Sequence, residues 1–79
     1  MTMQVNYHAE TGDAFRARIV VDGTPYAVVS ILDKNRVPVV SIFTPHGLNW
    51  MTDYLRELRD AINGAIAELG EMGAIKEAE

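Results

Sequence analysis

Cysteine is absent from this 79-residue chain, which excludes disulfides and every thiolate metal site. That absence matters because a chain this short buries only about 60% of its unfolded surface, leaving a marginal core unless something adds to it. Self-association is the remaining route. Basic residues are scarce too: seven Lys and Arg stand against eleven Asp and Glu, a formal charge of −4. Such a chain has no general basic field to draw it onto phosphate backbones. Long hydrophobic runs are missing, since the apolar stretches are strand-length and far short of a membrane span. The opening Met-Thr-Met-Gln-Val-Asn has neither the basic nor the apolar region of a signal peptide, so a cytosolic location is expected. What the chain does have is apolar character. Hydrophobic residues make up 48%, enough for one folded domain over residues 1–79 and too many for disorder.

The first half reads as strands. Residues 3–9 alternate Met3, Val5 and Tyr7 with Gln4, Asn6 and His8, the period-2 pattern of a strand with one buried face. After the turn cluster 10–13, residues 14–21 place Phe15, Ala17, Ile19 and Val21 opposite Arg16 and Arg18. Asp22-Gly23 supplies the positive φ of a tight hairpin. Strands at 26–32 and 37–43 then flank the turn Asp33-Lys34-Asn35-Arg36, and both are apolar on both faces. One helix covers one face of a sheet, so the second face asks for a partner subunit. Pro38 lacks a ladder N–H, which puts the last strand at the sheet edge.

The second half reads as one long helix over residues 45–70, with Thr44 as N-cap, Pro45 in the first turn and Asn49 as a second possible cap. Leu48, Met51, Leu55, Leu58, Ile62, Ala65, Leu69 and Met72 recur at spacings of three and four, and Tyr54, Ala61 and Ile66 widen the seam. Gly70 and Gly73 are C-terminal stops, with a frayed acidic tail over 74–79. The helix is longer than the strands it would cover, and its stripe continues to the far end. Both excesses point to a homodimer of α+β subunits, each a four-stranded antiparallel meander followed by one helix. The expected dimer contacts are Val28, Leu32, Val37, Val39, Phe43, Leu58, Ile62 and Leu69.

Residues able to carry chemistry are few. His8 and His46 are the only imidazoles, and neither has a Ser or Cys partner at a recognisable spacing. Carboxylate pairs such as Asp53 and Glu57 belong to a solvated helix face, and no glycine loop is built to cradle phosphate. Neither enzyme activity, cofactor nor metal is expected. Phe43 and Trp50 flank the strand-to-helix junction, where Trp50 reads as a lid on the core and, failing that, as an anchor for a protein partner. A polar and cationic surface is expected where Gln4, Asn6 and His8 neighbour Arg16 and Arg18, with Tyr26 and Ser30 across the next strand and Lys34 and Arg36 extending it. Arginines beside an aromatic ring on an open sheet suit single-stranded nucleic acid.

The segment Val40-Ser41-Ile42-Phe43-Thr44-Pro45, followed by Trp50 and Leu55, resembles the PC4-like family of single-stranded DNA-binding transcription cofactors. The resemblance spans about fifteen residues and the four-strands-then-helix order. It implies a dimer that binds single strands on the sheet, through Arg16, Arg18, Lys34 and Arg36 here. The chain lacks that family's run of basic residues along the strands. The leading expectation is therefore a non-enzymatic homodimer that binds another protein, of the bacterial or phage accessory or inhibitor type. Its binding surface would be the acidic helix face of Asp53, Glu57, Asp60, Glu68 and Glu71. Single-stranded nucleic acid at Arg16, Arg18, Lys34, Arg36, Tyr26 and His8 is the alternative.

Overall fold

The structure, a computed structural model, describes residues 4–73. Three antiparallel strands precede one C-terminal helix: β1 (Ala14–Val20), β2 (Tyr26–Leu32), β3 (Pro38–Phe43) and α1 (Leu48–Glu71). The sheet order is β1-β2-β3, so β2 is central and both its neighbours are edges. Two short turns enforce this meander. Gly23 takes the positive φ that the β1–β2 turn requires. In the β2–β3 turn the Asp33 carboxylate accepts from the amides of Asn35 and Val37, while Arg36 N–H donates to Asp33 O. Arg36 itself sits at φ 67, a left-handed conformation costing on the order of 1 kcal/mol in a residue with a Cβ.

Strand register assigns the faces. Phe15, Ala17 and Ile19 pair with Ile31, Val29 and Ala27, and Val29 and Ile31 pair with Ile42 and Val40. These eight share one wholly apolar face. Arg16 pairs with Ser30 and Arg18 with Val28, while Ser30 and Val28 pair with Ser41 and Phe43 on the opposite face. A register shift between Ile31 and Leu32 brings Leu32 opposite Pro38 and leaves Val39 as the extra residue of a bulge.

The strand expected at 3–9 does not form over residues 4–9, and Met3 lies outside the described residues. The local chain finds other partners: the Asp13 carboxylate accepts both the Tyr7 hydroxyl at 2.9 Å and the Glu10 amide at 3.0 Å. Val5 stays exposed, so its alternation meets no apolar cover. The helix start is corrected as well. Thr44 does not cap it. Its Oγ1 accepts the Ala27 amide at 2.8 Å and its own amide donates to Ala27 O, prolonging the β2–β3 ladder by one residue. The N-cap is Gly47, at φ 111 and without a side-chain cap bond, and Asn49 falls inside the first turn. A Cβ on Gly47 would lie 3.1 Å from the Trp50 ring, so both its φ and its surroundings call for glycine. At the other end the helix runs through Gly70 and stops at Gly73, which takes the positive φ of a C-terminal stop.

Packing is sparse. Ala27, Val28, Leu32 and Met51 form the buried apolar core, joined by Ser30 and Thr44. Of the 24 residues of α1, only Met51 is buried. Among the strands, α1 approaches β2 alone. A helix of this length spans about 36 Å and a seven-residue strand about 23 Å, so the helix outreaches the strand by about 13 Å, roughly a third of its length. The radius of gyration, 15.2 Å, exceeds the roughly 12 Å of a compact chain of this length.

Candidate functional site: the arginine face of the sheet and a bare helix

No cavity opens among the described residues, so any binding must use a surface. On the Arg16 face, β1 and β2 place Arg16 directly across from Ser30, and Arg18 across from Val28 and diagonal to Tyr26. Ser30 and Ser41 hydroxyls bond at 3.0 Å and form a polar step beside Arg16. Tyr26 stacks on His46, with ring centroids 4.5 Å apart and planes within 10°, and its ring centre lies 6.1 Å from that of Phe43. That trio forms because the Thr44 latch holds the β3 exit against Ala27 and a Pro25 O–Gly47 N bond returns the chain over the start of β2. Neither Arg16 nor Arg18 meets a carboxylate at ion-pair distance among the described residues. Expected neighbours of the arginines are thus found at Tyr26 and Ser30, while Gln4, Asn6 and His8 lie outside any strand. Lys34 and Arg36 occupy the β2–β3 turn, with Lys34 beside the Gly12 loop. His46 and Phe43 were not grouped with this surface by spacing; stacking across the junction joined them.

The helix carries two opposed faces. Asp53, Glu57, Asp60, Glu68 and Glu71 are all exposed and recur at spacings of four, three, eight and three, which keeps them on one side. Asp60 is engaged by Arg59 at 3.0 Å, an exposed pair that contributes little. On the other side Leu55 and Leu58 are half-buried, but Ile62, Ile66 and Leu69 are exposed. Trp50 is 68% exposed, so it is not the core lid that its position at the helix start suggests. Of the residues expected at a dimer contact, Val28 and Leu32 are already buried within one chain, at 6% and 1% exposure. Val37, Val39, Phe43, Ile62 and Leu69 are exposed and Leu58 is half-buried.

The Tyr7 phenol is shifted upward. The Asp13 carboxylate that accepts its O–H holds the phenol above the ordinary tyrosine range, and partial burial and the charges of Asp13, Glu10 and Asp33 act the same way. Among the described residues no group of three or more His, Asp or Glu is placed to hold a metal, and no helix is long and apolar enough to cross a membrane. The chain matches no protein-family model, and no curated protein or solved structure shows significant similarity to it.

Proposed function

We propose that this chain is a non-enzymatic, self-associating interaction domain of the cytosol, two copies of which present their surfaces to another macromolecule, a protein in the first instance. One observation carries the reading: a 24-residue helix with a continuous apolar stripe buries a single residue. The surface area agrees. The chain exposes 6715 Å², against about 4,700 Å² for a compact protein of 8.7 kDa, an excess of about 2,000 Å². An obligate homodimer hides 2,000 to 5,000 Å² in total, or about half of that on each copy. The helix then turns its acidic face, from Asp53 to Glu71, toward solvent, where a basic protein surface would meet it. Light scattering at tens of micromolar should give twice the 8.7 kDa chain mass, whereas the mass of one chain defeats the proposal.

A second reading has its own support in the Tyr26–His46 stack and Phe43 on the sheet face of Arg16 and Arg18, which meet no carboxylate at ion-pair distance among the described residues. These are the elements of a platform for single-stranded nucleic acid, in keeping with the PC4-like resemblance. Fluorescence anisotropy with labelled single strands separates the two readings. Binding at physiological salt that is lost when Arg16 and Arg18 become alanine favours this platform, and no binding even at low salt removes it.

A further inference from the structure

The two edges of the sheet differ. β3 is blunted: Pro38 has no N–H to offer, and the bulge at Val39 disturbs the edge. β1 carries neither device. Ala14–Val20 contains no Pro, Gly or Lys and pairs with β2 in unbroken register along all seven residues. Among the described residues no strand occupies its outer edge, and residues 15–19 are exposed on both faces of the sheet. Arg16 and Arg18 are its only guards, and a long, regular edge without proline or bulge is a template for another strand.

We propose that β1 pairs antiparallel with β1 of a second copy about a two-fold axis at Ala17, joining two three-stranded sheets into one of six strands. This rests on the self-association reading and names its contact. The side chains favour a second copy of β1 over a foreign strand. With Ala17 facing itself, Phe15 lies opposite Ile19 of the second copy, twice, and Ala14 lies opposite Val20. Phe15 is 73% exposed and Ile19 53% in the single chain, and aromatic-to-branched pairs of this kind are among the favourable cross-strand contacts. A one-residue slip would set Phe15 and its neighbours against the wrong face, and a two-residue slip would centre the axis on Arg16 or Arg18 and break the Phe15–Ile19 pairs, so the Ala17 axis is the register the side chains favour. The joined sheet doubles the width of the apolar Phe15 face.

The same register carries a signature. On the opposite face Arg16 stands against Arg18 of the second copy, again twice. Like charges directly across a ladder repel, so the pairing should tighten as salt screens them. Arg16→Glu puts a carboxylate opposite each Arg18 and turns two repulsions into two attractions.

Because the chain has no cysteine, a single introduced thiol reports without background. Under mild oxidation Ala17→Cys should form a disulfide-linked dimer, while Ser41→Cys on the β3 edge stays unlinked. At low salt Arg16→Glu should lower the dimer dissociation constant about two- to tenfold, read by sedimentation across a dilution series. If light scattering shows a dimer and either result fails, the edge pairing is overturned and self-association stands. A monomeric parent chain overturns both.

Discussion

Thr44→Val isolates the hydroxyl that closes the end of the sheet. Thr44 is 3% exposed, and its Oγ1 accepts the amide of Ala27, which has no solvent exposure at all. Valine keeps the branched shape but leaves that amide buried without an acceptor, a cost of about 1–3 kcal/mol. The second bond of the hydroxyl, to Pro45 O at 3.2 Å, contributes less, because Pro45 is exposed and water can replace it. The added methyl returns about 0.8 kcal/mol. The net loss is then about 0.2–2 kcal/mol. Urea unfolding followed by circular dichroism should show the midpoint fall by up to about 2 M at unchanged slope, taking a slope near 1 kcal/mol/M for a small domain. All variants should be compared at one chain concentration, since association raises apparent stability by mass action. Thr44→Ser retains the acceptor and should stay within about 1 kcal/mol of the parent. Should valine prove as stable as threonine, or serine cost more than valine, the hydroxyl does not bridge the strand ends and the account of the junction is wrong.

Three further substitutions test the helix and the N-terminal turn. Met51→Ala removes the one buried helical side chain and should cost about 2–4 kcal/mol at any chain concentration, whereas Ile62→Ala, at a position 52% exposed in one chain, should act by weakening association about tenfold or more. A dissociation constant for Ile62→Ala within about twofold of the parent removes the distal stripe from the subunit seam. Asp13→Asn takes away the carboxylate that raises the Tyr7 phenol, so the tyrosine assigned by Tyr7→Phe difference should titrate closer to its ordinary range in ultraviolet absorbance. The sign follows from the raised folded value: the O–H contact contributes fully below the ordinary tyrosine range and is lost only as pH climbs through the folded value. Stability should therefore show no dependence on this group near neutral pH, and an unaltered phenol titration in Asp13→Asn contradicts the contact.

Regular elements were legible in the sequence where consecutive residues alone decide them. The doubly apolar run at 26–32 returned as β2 with identical bounds, because a central strand is paired on both sides. The alternation at 3–9 produced no strand over residues 4–9, since alternation is a preference that needs an edge and a cover to realise it. Thr44-Pro45 matched a helix start by local rules, yet the Thr44 hydroxyl found an amide 17 residues away, and the helix began only at Leu48. Trp50 shows the reverse failure. A lone tryptophan in a small domain reads as core, but here its side chain lies 68% exposed.

The sequence by itself determined the order of the last three strands and the helix, the turns at Gly23 and Asp33, and the split of the helix into apolar and acidic sides. These follow from backbone preferences and from the periods of 2 and 3.6, which act between residues a few positions apart. Tertiary structure decided which arginine stands beside which ring, which hydroxyl closes the ladder, and which strand edge is left open. Those depend on register and on contacts between distant segments, where a shift of one residue exchanges every side chain between the two faces.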